Sequence, residues 1–330
     1  VKKLLILGGT RFIGRNLVHR LLQEERYDIT LFNRQQSGSG LFPKTKRIKG
    51  YRNTNDVAQI KEHEWDLVVD LSCFFPLQLR TTLQSLVKPP DKYVLISTCS
   101  VYDNAEDRTI LRKEDAAILT CTHEQEIDAG VQTYGRRKSE CERVLRASGF
   151  PHVIFRPALV YGPYDPTDRF YYWLHQVRTQ NRLLLPDNGE RRFSTTFVGD
   201  LVEAIVRSLG SDHISGTFNV TSTPFTRITD IVDICMDELG STPERVSAGP
   251  SFLAAQEIRE WIDLPLWLNC DHFTYSNERM RHIINVAPTS LRAGIQHTIR
   301  TVQQDNWPTP TYGMSEDRRN SLLGFIDAGR

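Results

Sequence analysis

The opening of the chain constrains its fold most tightly. Val1 to Leu7 reads Val-Lys-Lys-Leu-Leu-Ile-Leu, an apolar run of strand length. Gly8, Gly9, Thr10, Arg11, Phe12, Ile13 and Gly14 follow as a glycine turn, and Asn16 to Leu22 then carries apolar residues at helical spacing. A buried strand, a tight turn and a helix N-terminus together make an anion site, because free backbone N–H groups and the helix dipole converge on a pyrophosphate. Glycines there allow positive φ and close approach of a ligand to the backbone.

The same rhythm continues through the first half. Strands are expected at 2–8, 28–33, 46–49, 66–71, 92–97 and 151–156, and helices at 12–24, 54–62, 77–88 and 131–148. Alternation of this kind implies an α/β fold, a Rossmann doubly wound parallel sheet with helices on both faces. Its ligand crevice would lie at the carboxyl ends of the strands, where Gly8, Asn33, Leu71 and Thr98 fall. Past Pro157 the rhythm breaks. Residues 194–222 return to a helix and a strand that extend the sheet, and helices are expected at 228–240, 277–284 and 289–304. The expected organisation is therefore a Rossmann domain of residues 1–165 with 194–222, and a smaller C-terminal substrate lobe of 166–193 with 223–305. Residues 306–330 form a tail, extended at first, with a short docking helix at Ser321 to Ile326.

At 330 residues the chain can bury a large core. Its net charge of +1 leaves no electrostatic footprint for nucleic acid or an acidic membrane. The six cysteines form no Cys-x-x-Cys pair and the nine histidines no ligand cluster, so reduced thiols and no metal site are expected. With no signal-peptide pattern or long apolar span, the cytoplasm is the default expectation.

Tyr134 and Lys138 stand four residues apart in an expected helix, so both leave the same face one turn apart. An ammonium beside a phenol favours the phenolate, and a tyrosine so placed can exchange a proton with a substrate alcohol. Further motifs keep company with this pair: Gly8-Gly9 with Gly14, then Ser97-Thr98-Cys99-Ser100-Val101-Tyr102, then Arg156-Pro157-Ala158-Leu159-Val160-Tyr161-Gly162-Pro163. In order and spacing the set resembles the extended short-chain dehydrogenase/reductases, which include nucleotide-sugar epimerases and dehydratases. The glycine loop, with Gly162 to Phe170, is most similar to an atypical branch that holds isoflavone-reductase-like proteins and plastid RNA-binding proteins.

The resemblance implies a catalytic set of Thr98, Tyr134 and Lys138. Thr98 would hydrogen-bond the substrate oxygen, and Lys138 would also hold the nicotinamide ribose. The glycine turn, Asn33, Arg34, Leu71, Ser72 and Pro157 would complete an NAD(P) site. Two positions depart from the family pattern. Arg11 replaces the middle glycine of the turn, and Gly50-Tyr51-Arg52 lacks the acidic residue often found near the adenine. The second strand ends Asn33-Arg34 without the Asp or Glu that holds the ribose of NAD, so NADP(H) is favoured. Arg169, Arg191 and Arg192 are the candidates for the diphosphate of a nucleotide sugar. Dehydratases carry Asp-Glu after the threonine, where this chain has Cys99 and Ser100, so dehydration is not expected. Tyr171, Tyr172 and Trp173 occupy consecutive helix positions, which reads as core packing more than base stacking. The function implied is an NAD(P)-dependent epimerase or oxidoreductase on a hydroxyl or keto carbon, with a homodimer formed through 77–88 and 131–148. The alternatives are an NADPH-dependent reductase of a secondary metabolite and a non-catalytic RNA-binding Rossmann protein.

Overall fold

A computed structural model of the chain describes every residue except Ser39 and Arg330. Its centre is a seven-stranded parallel sheet built from β1 (Lys2–Leu7), β2 (Tyr27–Asn33), β3 (Lys46–Lys49), β4 (Leu67–Asp70), β5 (Lys92–Ile96), β6 (His152–Pro157) and, later in the chain, β10 (Gly216–Val220). The spatial order is β10-β6-β5-β4-β1-β2-β3. The order reverses at β1, whose two neighbours lead away in opposite directions, and a doubly wound sheet opens its crevice there.

Alternate residues of each strand supply two separate cores. Leu4 and Ile6 pack with Leu17 and Val18 of α1 (Phe12–Leu22), while Leu5 and Leu7 pack with Leu79 of α2 (Pro76–Gln84). Both faces are covered, so the strands read as continuous apolar runs. After the one-turn helix α3 (His123–Ile127), α4 (Tyr134–Ala147) packs on α2 and adds Cys141 and Leu145 to the second core. Each fully buried leucine contributes on the order of 2 kcal/mol relative to exposure.

Beyond β6 the chain forms β7 (Leu159–Tyr161), α5 (Tyr171–Thr179), β8 (Arg182–Pro186), β9 (Phe193–Phe197) and α6 (Val198–Leu209), which packs on α1. After β10 come β11 (Thr223–Thr226), α7 (Ile228–Leu239), β12 (Glu244–Ala248), α8 (Pro250–Ala255), α9 (Leu291–Gln304) and α10 (Glu316–Ala328). Strands β11, β9 and β7 form one small sheet, and β12 and β8 another. Tyr171, Tyr172 and Trp173 are all buried, as core residues.

The structure corrects the sequence expectations in several elements. Residues 55–62 wind as a 3₁₀-helix, not an α-helix, and Met280–Ile284 as a π-turn. The helix expected over 131–148 begins with a 3₁₀ turn at Val131–Thr133 before α4. The small sheets were not anticipated. In β9, Ser194, Thr195 and Thr196 are fully buried, and their hydroxyls are satisfied by the Pro224 carbonyl, Thr226 and the Val220 carbonyl. A strand buried through hydroxyls carries no hydrophobic signature. The tail helix is longer than expected. Its Leu322, Leu323 and Arg319 face inward, and Arg319 donates to Gln176 on α5 at 2.5 Å.

Candidate active site

A cleft of about 570 Å³ opens at the carboxyl ends of β1, β2 and β4. Gly8, Gly9, Thr10, Arg11, Phe12, Ile13 and Gly14 line it, with Asn33, Arg34, Leu71 and Ser72. The turn depends on its glycines. Gly9 has φ +99, and a Cβ on Gly14 would lie 2.6 Å from the Gly9 Cα. No side chain caps the N-terminus of α1, whose first N–H groups therefore remain available to an anion. Arg11 stands at that N-terminus, exposed, and forms no ion pair among the described residues. These features fit a dinucleotide pyrophosphate.

Asn33 serves the turn itself. Its Nδ2 donates to the Gly8 carbonyl at 2.9 Å, and its Oδ1 accepts from the Gln35 N–H at 3.0 Å. Arg34 projects outward with its guanidinium 5.5 Å from the Tyr51 ring centroid. It also borders an adjoining opening of about 490 Å³ shared with Lys49, Tyr51 and Asp56.

Arg52, seen in the sequence only as a missing acid, turns inward. Its Nη1 and Nη2 donate to the two oxygens of Asp70 at 2.6 and 3.0 Å, and Tyr93 Oη donates to the same carboxylate at 2.9 Å. Burial opposes the Arg52 charge, but the Asp70 carboxylate outweighs it and raises the guanidinium pKa. The available signal was an aspartate ending the apolar strand Leu67-Val68-Val69-Asp70, a buried charge in need of a partner.

Thr98, Tyr134 and Lys138 do not line this cleft; Thr98 lies just past the end of β5, and Tyr134 and Lys138 stand on α4. The Thr98 hydroxyl accepts the Ser100 N–H at 3.1 Å and donates to Ser100 Oγ at 3.2 Å. A Cβ on Gly135 would overlap the Ser100 carbonyl oxygen, so the first turn of α4 is seated directly on the Thr98–Ser100 turn. That contact brings Tyr134, half-buried, to the segment that holds Thr98. Lys138 is buried and donates to the Cys73 carbonyl at 2.7 Å and the Ile96 carbonyl at 2.6 Å. Among the described residues no hydrogen bond joins the Tyr134 hydroxyl to Lys138 or Thr98. Cys99 turns into the core toward the Arg156 carbonyl, and burial pushes its thiol pKa well up.

Pro157 is buried at the end of β6 and does not reach the cleft. Its neighbour Arg156 anchors α4 from below. Arg156 Nε and Nη2 donate to Glu142 Oε1 and Oε2 at 2.9 and 2.6 Å. Across the cleft the Gly162–Tyr164 loop is held to α1. Asn16 Nδ2 donates to the Pro163 carbonyl at 3.0 Å, and the Arg15 guanidinium covers the Tyr164 ring at 3.6 Å.

The three substrate arginines are not gathered together. Arg191 is paired with Asp187 at 2.6 Å and Asp271 at 3.1 Å. Arg169 lies over the Trp261 ring at 4.8 Å and donates to Thr167 at 3.2 Å. Arg192 is exposed and forms no ion pair among the described residues. Among those residues no group of three or more His, Cys, Asp or Glu could hold a metal ion, and no helix is long and apolar enough to cross a membrane.

The chain is similar along most of its length to known proteins. Chloroplast stem-loop binding protein of 41 kDa b from Arabidopsis thaliana is 25% identical over 306 residues, covering 87% of this chain and 75% of its own length. YtcB of Bacillus subtilis (strain 168), described as an uncharacterized UDP-glucose epimerase, is 24% identical over 277 residues, covering 72% of this chain and 82% of its own. The solved structure of UDP-glucuronic acid 4-epimerase from Bacillus cereus in complex with NAD superimposes with a TM-score of 0.69 at 19% identity, over 92% of this chain and 99% of that one. At that identity the likeness is one of fold. The model of the NAD dependent epimerase/dehydratase family matches residues 4–73 and 77–221. Since that span takes in the glycine turn, the Thr98 turn and all of α4, this chain belongs to the NAD dependent epimerase/dehydratase family.

Proposed function

We propose that this chain is an epimerase or oxidoreductase acting on a hydroxyl or keto carbon of a nucleotide-linked sugar, with Tyr134 as its proton-transfer group. The observation that carries the reading is the seating of α4 on the Thr98–Ser100 turn beside a glycine-floored cleft. The glycine turn and the α1 N-terminus would hold the pyrophosphate of a nicotinamide dinucleotide, Leu71 and Ser72 would flank it, and Lys138 would meet the ribose. When bound, that cofactor supplies the hydride acceptor and donor. Tyr134 takes the proton of the substrate hydroxyl and returns one to the oxygen, while the Thr98 hydroxyl stabilises charge on that oxygen. Return of hydride to the opposite face of the carbon makes an epimerase; a single transfer makes a reductase or dehydrogenase. Dehydration is not part of the reading, because Cys99, a buried thiol whose pKa burial raises, stands where the dehydratase pattern has a carboxylic acid.

Arg34 and Lys49, both facing the adjoining opening, support NADP(H) over NAD(H), since together they can neutralise a 2′-phosphate. At the sugar end Arg169 and Arg192 form no ion pair among the described residues, and we assign the diphosphate to them ahead of Arg191, which Asp187 and Asp271 hold. The test is incubation of the protein with NAD⁺ or NADP⁺ and a panel of UDP- and dTDP-sugars. Proton NMR would follow inversion, and absorbance at 340 nm net reduction. Absence of both, with no thermal stabilisation by any nucleoside diphosphate, would remove the sugar reading.

A second reading, RNA binding without catalysis, draws support from the likeness to the stem-loop binding protein. Retention of single-stranded RNA in a gel shift at physiological salt is its test.

A further inference from the structure

Cys73 and Cys141 lie in different elements, one just past β4 and the other on α4, yet their sulfurs are 3.6 Å apart and hydrogen-bonded. Both thiols are free and buried. We propose that Cys73 and Cys141 are a peroxide-oxidised thiol pair, a modification site set into the wall behind the cleft.

Three observations converge on it. The two sulfurs are in direct contact with no atom between them, and a contraction to about 2 Å would complete a disulfide. Ser72 and Phe74, the chain neighbours of Cys73, line the cleft while Cys73 itself is buried, so the sulfur lies one residue behind the cleft wall and the oxidant proposed is a small one. The pair also sits among cations: the mutual hydrogen bond, with Arg52 and Lys138 nearby, favours a thiolate at one of the two sulfurs. Cys73, the sulfur next to the cleft wall, is assigned as the attacking one and Cys141 as the resolving one.

The oxidant is hydrogen peroxide. The Cys73 thiolate attacks one peroxide oxygen, the O–O bond breaks, and with one proton taken up a sulfenic acid and water form. Cys141 then attacks the sulfenic sulfur, the S–O bond breaks, and the hydroxide leaves with the Cys141 proton as a second water. The sum is two thiols and one peroxide to one disulfide and two waters. The Cys73 carbonyl accepts from Lys138, so the link forms one residue's width from the lysine of the proposed site.

Intact-mass measurement and peptide mapping of the full chain after peroxide treatment test the proposal. The expected result is a loss of about 2 Da and a tryptic cross-link joining the Cys73 and Cys141 peptides, reversed by dithiothreitol. In C141S, Cys73 should stop at the sulfenic acid and be captured by dimedone present as the oxidised chain is unfolded in urea. Unlinked Cys73 and Cys141 peptides, with oxidation confined to the more exposed Cys121 and Cys270, would overturn it, as would a C141S chain carrying no dimedone on Cys73. None of these readouts needs a cofactor or substrate, so they stand apart from the enzymatic reading.

Discussion

Single atoms decide much of this site. Tyr134→Phe removes only the oxygen proposed to transfer the proton, so turnover should fall about 10²-fold or more while dinucleotide affinity, measured by titration, stays nearly constant. An unchanged rate would dismiss Tyr134 from the chemistry. One residue along, Gly135→Ala puts a methyl group into the Ser100 carbonyl. Displacing that backbone should cost about 1–3 kcal/mol, read as a shifted urea midpoint, with turnover falling as α4 lifts from the Thr98 turn. Arg34→Ala should weaken NADP(H) more than NAD(H) in the same titration, and equal losses would show that the guanidinium does not meet a 2′-phosphate. The sequence made Tyr134, Lys138 and the glycine turn legible, because each rests on a short local spacing. It concealed the Arg52–Asp70 pair and the role of Gly135, because both depend on which distant backbone comes to lie alongside.

Helix α4 shows how an element is held in place. Its Glu142 meets Arg156 of β6 with both groups buried, and Ser97 donates to the same carboxylate at 2.6 Å. Burial would raise the Glu142 pKa, but Arg156 and the other donors overcome it and hold the value below the ordinary carboxylate. A depressed folded-state pKa contributes stability that is complete above the unfolded value of about 4.3 and is lost as pH falls through the folded one. Glu142→Gln leaves Arg156 without its buried counter-charge and should cost about 3–5 kcal/mol at pH 7. The gap between wild type and variant in urea unfolding should then narrow as pH falls below 4.3. A gap independent of pH would deny the pair its role. The strands and helices of the large sheet were legible for a related reason: cores on both faces demand the apolar runs that periodicity detects. Strand β9 escaped because hydroxyls fill its core positions.

Across the whole molecule, the last helix ties together α5, β8 and the end of α8, through Arg319 with Gln176, Asp327 with Arg182 and Arg318 with the Gln256 carbonyl. Removing residues 315–330 would expose α5 where Leu322, Leu323 and Arg319 cover it, and calorimetry should show a melting temperature lower by about 5 °C or more. An unchanged melt would mean that α10 is only a passenger. This helix was legible in part, since Arg319, Leu322 and Leu323 share one face at i, i+3 and i+4 but only two of the three are apolar. Lys138 joins the scales. An ammonium has three N–H bonds, and two of them are committed to the carbonyls of Cys73, just past β4, and Ile96, the last residue of β5. One proton is left, and tetrahedral geometry fixes its bearing, so a group usually regarded as an undirected charge becomes a single aimed donor. A planar guanidinium at this position has no matching set of directions, and the exchange of lysine for arginine, mild on an open surface, is here a change of geometry.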